Sequence, residues 1–264
     1  MSSTWRLPLV LTALLLAGAC AGKRVQLPTD SGTPLADYAD IHRQLAAGCA
    51  DVRTFRSALS LSGTANGERL GGTLANGFRA PDAMRLELRV RPFNTLAFVL
   101  AADARGATLL LPREKQVVRS ARGEDILAAL TGIALAPADL MAILTGCVVP
   151  SPHPTGGRRH EKNWVSIDLG NEATVYAQQT GGRWQVRGAK RGTWRVEYPE
   201  WPATNRFPAR VTLSASQPVM VDMRATISNA EADVDLGDFS VAVPADAEVI
   251  PLEQLQRSGP LRRP

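Results

Sequence analysis

From Phe55 onward the apolar positions recur at every second residue. Leu59, Leu61, Gly63 and Ala65 alternate with Ser60, Ser62 and Thr64, and Asn66-Gly67 then supplies the positive backbone angles of a tight hairpin turn. A second strand is predicted to return through Leu70 to Leu74. Met84, Leu86, Leu88 and Val90 alternate with Arg85, Glu87, Arg89 and Arg91, which predicts a sheet with one apolar and one charged face. Leu96 to Ala102 is apolar on both faces, and Thr108 to Leu111 and Gln116 to Arg119 follow between turn residues. Farther on, Val165, Ile167 and Leu169, then Trp184 with Val186 after the Gly181-Gly182 turn, then Trp194, Val196 and Tyr198, continue the alternation. Val211 with Leu213 and Val219 through Ile227 extend it, and Val234 and Leu236 are predicted to close the sheet.

Two stretches follow the helical period instead. Leu35, Tyr38, His42, Leu45, Cys49 and Val52 fall at steps of three and four behind Thr33-Pro34, a capping hydroxyl before a first-turn proline. Ile126, Leu127, Leu130 and Ile133, and after Pro137 Leu140, Ile143, Leu144 and Cys147, mark two further short helices. Pro150 to Lys162 carries breakers and basic residues and is predicted to be a polar loop. The tally is roughly ten or eleven antiparallel strands and three helices, with no domain boundary. So many strands expose one apolar face that three short helices cover only in part. The fold class expected is mainly β, a curved antiparallel half-barrel with a few short helices over an apolar cavity.

The start of the chain is different again. Arg6 precedes an apolar run from Leu7 through Ala17, broken by Pro8 and Thr12. A membrane span needs roughly 20 apolar residues; this run has the length of a signal-peptide core. Leu16-Ala17-Gly18-Ala19-Cys20 resembles the lipobox of bacterial lipoproteins. That resemblance implies removal of residues 1–19, lipid on Cys20, and a membrane-tethered product. Gly22 to Gly32 has a tether's composition, so 20–32 is taken as the lipidated tether and 33–264 as the domain. Ala21, rather than an aspartate at that position, favours the periplasmic face of the outer membrane.

A net charge of +5, with arginines scattered rather than blocked, argues against a nucleic-acid partner. In an oxidising compartment Cys49 and Cys147 form either one disulfide or two unlinked small apolar residues. Enzyme signatures are missing: there is no Gly-x-Ser-x-Gly elbow, no His-Glu-x-x-His helix and no phosphate-cradling glycine loop. His153, His160 and Glu161 lack metal-ligand spacing and read as a surface loop. Glu87, Asp168, Glu197 and Asp222 sit at polar strand positions and read as a solvated face. No metal, cofactor or catalytic role is expected.

Together the lipobox, the amphipathic helix, the run of hairpins, the helical segments Asp125-Ile126-Leu127-Ala128-Ala129-Leu130-Thr131-Gly132, Pro137-Ala138-Asp139-Leu140 and Leu144-Thr145-Gly146, and the later Trp184-Gln185-Val186 and Phe207-Pro208-Ala209-Arg210-Val211-Thr212-Leu213 resemble the LolB-type outer-membrane lipoprotein receptors and the wider LolA/LolB-like fold. The resemblance implies a cavity that takes the acyl chains of client lipoproteins from a periplasmic carrier protein and releases the clients into the outer membrane. Leu88, Val90, Leu96, Phe98, Leu100, Leu127, Leu130, Ile143 and Leu144 are the candidates to line it, the alternative for each being an ordinary filled core. The family also carries a protruding loop with an apolar tip. Arg91-Pro92-Phe93-Asn94-Thr95 occupies that connection, with Phe93 either as the tip or folded under the turn. A second reading of the same fold is a hydrophobe or glycolipid carrier, or a structural scaffold of the envelope.

Overall fold

In a computed structural model, which describes residues 24–258 apart from 66, 121, 148–152, 204 and 217–219, the alternating stretches build one sheet. The proposed signal peptide and Cys20, Asn66 of the hairpin turn, Pro150 and Val219 therefore lie outside the described residues. The strands are β1 Thr33–Pro34, β2 Thr54–Ala65, β3 Glu68–Arg79, β4 Ala83–Val90, β5 Thr95–Asp103, β6 Gly106–Leu111 and β7 Gln116–Ser120 in the first half. The second half holds β8 Gly156–Arg159, β9 Trp164–Gly170, β10 Ala173–Thr180, β11 Arg183–Arg191, β12 Trp194–Glu200, β13 Arg210–Ala215, β14 Val221–Ala232 and β15 Glu248–Val249. Four short helices accompany them: α1 Tyr38–Ala47, α2 Gly123–Thr131, α3 Pro137–Thr145 and α4 Leu252–Ser258.

The sheet runs in the order β1-β8-β9-β10-β11-β12-β13-β14-β2-β3-β4-β5-β6-β7-β15 and does not close. Each half is an antiparallel meander, and the two join where β14 pairs with β2, Val221 opposite Ala65 and Ala232 opposite Phe55. Among the described residues the one parallel pairing is β15 on β7. The count of fifteen strands exceeds the ten or eleven expected. Part of the excess is β1, β8 and β15, of two to four residues each, too short to show an alternation.

Three other expectations are corrected. Thr33-Pro34 does not start a helix: both residues pair with Arg159 and Arg158 of β8, and the Leu35 N–H donates to the Gly157 carbonyl at 3.1 Å. Proline costs an edge strand little, since the hydrogen bond it cannot donate faces away from the ladder. The helix begins only at Tyr38. Secondly, the Pro150 to Lys162 stretch is not all loop, because β8 lies within it. Thirdly, Val234 and Leu236 do not close the sheet, because β14 stops at Ala232 and Asp233, at φ 55°, turns the chain away.

The concave face is covered by α2 and α3, which lie between β7 and β8 in the chain. α2 starts against the sheet, where a Cβ on Gly123 would stand 2.6 Å from the Met84 methyl, and it packs on β5, β6 and β7. α3 ends at Gly146 with φ 74°, and a side chain there would also strike the Trp201 ring at 2.6 Å. Both the left-handed cap and the ring demand glycine. Next to it a disulfide joins Cys147 to Cys49, with Cα atoms 5.6 Å apart, across a sequence separation of 98. Fully buried Phe55, Phe78, Leu100, Leu109, Ile126, Val165, Ile167 and Tyr198 form the centre of the core. The Tyr198 hydroxyl donates to the Ile143 carbonyl at 2.8 Å, and burial pushes its phenol well above its ordinary pKa. Among the described residues no helix is long and apolar enough to cross a membrane.

The described part of the expected tether is not free of the domain. Residues 24–32 lie across the convex face, with Val25 and Leu27 buried against Trp164 and Tyr176. Glu197, expected on a solvated face, is 2 % exposed beneath them. Its carboxylate pairs with the Arg195 guanidinium at 2.7 Å and accepts the Val25 N–H at 3.0 Å. The segment laid over a polar strand position, with Val25 and Leu27 turned inward, is what removed that glutamate from water, and both its oxygens are satisfied, as a buried charge requires.

Candidate functional site

Between the helical hairpin and the sheet lies a cavity of about 370 Å³, within the range of small-ligand sites. Its floor comes from the inward positions of β2, β3, β4, β13 and β14, including Leu59, Leu61, Leu74, Leu86, Leu213 and Met223. Its roof comes from α2, α3 and their connection, through Leu127, Leu130, Ile133, Leu135, Leu140, Ile143 and Leu144. Thr131, also in the lining, spends its hydroxyl on the Leu127 carbonyl at 2.8 Å. The remaining polar side chains of the lining are Arg69 and Arg91. A cavity of this kind binds through apolar area and imposes no directional requirement on what enters.

Seven of the nine candidates, Leu88, Val90, Phe98, Leu127, Leu130, Ile143 and Leu144, line this space. Leu100 does not: it is fully buried, opposite Leu86 and Leu109, in the filled part of the core under α2. Leu96 does not either. Leu88 stands opposite Phe98 but Arg89 opposite Leu96, so Ala97 is an extra residue, a bulge that turns Leu96 to the face of Arg89. The lining from β2, β3, β13 and β14, and Leu86 of β4, was not among the candidates, although the alternations of Leu59 with Leu61 and of Val211 with Leu213 marked inward faces.

Because successive strands are antiparallel, the β2–β3, β4–β5 and β13–β14 turns emerge at one end of the sheet. The helical hairpin points its tip the same way, since Ile133 packs with the cluster of Ala65, Ala215 and Val221. This is the mouth end; the disulfide, beside Trp201 of the β12–β13 connection, is at the other. Phe93 in the β4–β5 turn is 87 % exposed, and Met220 at the start of β14 is 73 % exposed. The turn thus carries Phe93 as a tip, not as a residue folded under it. The Arg69 and Arg91 guanidinium groups have no ion pair or hydrogen bond among the described residues.

On the convex face, His160 Nδ1 lies 3.0 Å from Asp30 Oδ2 and His160 Nε2 lies 2.9 Å from Ser166 Oγ. The His160 side chain is only 5 % exposed, so it is not the solvated surface-loop side chain expected. The order resembles a hydrolytic triad, but the surroundings differ. Ser166 is buried in mid-strand, with Arg158 and Tyr176 on either side of it in the ladder. Its neighbouring backbone N–H groups are therefore engaged in the sheet, which supplies no oxyanion donors. The arrangement fastens residues 24–32, and the His160 hydrogen bond holds the Asp30 carboxyl below its usual range. Among the described residues no three His, Cys, Asp or Glu side chains gather as a metal site.

No protein-family model matches the chain, and no curated protein matches it by sequence. Solved structures do. A DUF1329 family protein from Desulfovibrio piger aligns with a TM-score of 0.51 at 11 % identity, over 78 % of this chain and 96 % of that one. A LolA superfamily protein from Nitrosomonas europaea aligns with a TM-score of 0.49 at 10 % identity, over 76 % and 97 %. The first likeness is one of fold.

Proposed function

We propose that this chain is a non-enzymatic lipoprotein, held by lipid on Cys20 to the periplasmic face of the outer membrane, that receives acyl chains of client lipoproteins in the cavity and helps insert the clients in that membrane. The observation that supports it most is the apolar cavity beneath the helical hairpin, lined mainly by leucine, isoleucine and valine side chains. Ten methylenes buried there contribute about 8 kcal/mol. Association costs about 4–15 kcal/mol in lost freedom. The net affinity is then modest, which suits a receptor that takes a chain from a periplasmic carrier and gives it up again. The exposed Phe93 beside the mouth suits delivery to a bilayer.

Phe93→Glu tests the delivery step. At 87 % exposure the substitution touches little, so stability should stay within about 0.5 kcal/mol. A carboxylate opposes insertion into the bilayer interface. The expected outcome is an unchanged melt, unchanged binding of acylated client, and transfer into liposomes reduced several-fold. Unchanged transfer would remove the loop from the mechanism and favour a carrier or scaffold.

A further inference from the structure

Residues 24–32 cross the convex face from one end of the strands to the other. Arg24 pairs with Asp222, the second residue of β14 and the neighbour of Val221 in the cavity wall. Val25 is held between Glu197 and the Arg195 guanidinium, which donates to its carbonyl at 3.1 Å. Leu27 lies so close to β11 that a Cβ on Gly188 would stand 2.9 Å from it. Asp30 is bound to His160 in the β8–β9 turn, and the Ser31 carbonyl accepts from Arg158 at 2.9 Å. That turn is at the end opposite the mouth. The segment is a strap, fixed along its length, and its first described residue lies at the mouth end.

Cys20 precedes Arg24 by four positions. A fully extended chain spans at most about 14 Å over that interval. We infer that the strap makes the membrane tether short and directional, so that lipid on Cys20 holds the mouth end of the sheet against the bilayer and brings the tips carrying Phe93 and Met220 into its interface. The inference rests on the lipidation of Cys20 in the function proposed above. Three independent features agree with it. Of the three most exposed large apolar side chains among the described residues, Phe93, Met220 and Val249, two project from turns at the mouth end and none from a turn at the other. Arg69 and Arg91, at the same rim, have no acidic partner among the described residues and match anionic headgroups. The cavity lining reaches Arg91 and Val221, beside these tips, so a chain leaving at this end meets lipid rather than water.

The test uses the full-length lipoprotein reconstituted in vesicles of phosphatidylethanolamine and phosphatidylglycerol. With Cys49 and Cys147 bridged and the Cys20 thiol acylated, a spin label goes to a single introduced cysteine, either Met220→Cys at the mouth end or Arg183→Cys at the β10–β11 turn opposite. The label at 220 should be accessible to oxygen and shielded from an aqueous nickel chelate, and the label at 183 the reverse. Inserting about twenty Gly and Ser residues after Gly22 adds roughly 25 Å of reach and leaves the strap and the fold untouched; the contrast between the two labels should then fall several-fold. Equal accessibility at the two sites, or a contrast that survives the insertion, overturns the inference while leaving the cavity reading intact. Palmitate incorporation is measured on the same material, and its absence overturns the anchoring reading together with the orientation built on it.

Discussion

Reducing the Cys49–Cys147 bridge should destabilise the domain by about 4–5 kcal/mol, because a closed loop of this size removes that much chain entropy from the unfolded state. The separation of 98 residues puts the bridge near the upper end of the effect. For a domain of this length the melting temperature should fall by roughly 8–20 °C. The position of the bridge explains why its loss matters beyond the count. It ties the end of α3 to the stretch just after α1, and so fixes the base of the helical hairpin that roofs the cavity, while the tip at the mouth has no such restraint. Melts of the oxidised and reduced protein, with Cys49→Ala/Cys147→Ala as the chemical control, measure the effect. A shift below about 1 kcal/mol would mean that the hairpin is held by its apolar contacts alone.

Filling the cavity should do the converse, removing binding while sparing the fold. Leu61 and Leu213 are half-buried residues of its floor, on β2 and β13 to either side of β14. Leu61→Trp with Leu213→Trp places two indoles in about 370 Å³ of unoccupied space. In a filled core such enlargement costs about 1–3 kcal/mol. Here the room exists, and the melt should move by a few degrees at most. Displacing even four methylenes of a bound chain forfeits about 3 kcal/mol, so affinity for an acylated client should drop about a hundredfold. A large loss of stability instead would show that these leucines belong to a closed core, and equal binding would place the acyl site elsewhere.

What could be read from the chain, and what could not, divides along the range of the interactions. The hairpins were legible because alternation and turn chemistry are local: Ala65 opposite Glu68 follows from Asn66-Gly67, and Met84 to Val90 shows its two faces without any partner. The helical hairpin was legible from its stripe of leucines and its Pro and Gly boundaries. Leu96 was misplaced because one extra residue, Ala97, reverses every side chain before it, and nothing in the apolar run from Leu96 to Ala102 marks where the extra residue falls. Most of the cavity floor was missed. Leu59, Leu61, Leu70 and Leu74 of the β2–β3 hairpin show an inward face but not that the helical hairpin lies over it. β13 and β14 join them because β14 meets β2 from the far end of the chain, a pairing that no local period encodes. The strap was missed for another reason. Val25 and Leu27 are two apolar residues in a polar stretch, and their burial, like that of Glu197 and His160, exists only once the convex face of β9, β11 and β12 is assembled.

Whether the cavity holds an acyl chain is read most directly from the lipid content of the purified protein. Chain purified from envelopes in mild detergent, with its own anchor accounted for by mass, should carry an additional acylated molecule that is released on denaturation and displaced by an acylated client peptide. The Leu61→Trp/Leu213→Trp variant, purified alongside, should carry none. An unmodified protein that yields no bound acyl species and takes up no acylated client would contradict the account, leaving a lipoprotein whose open sheet serves as a scaffold.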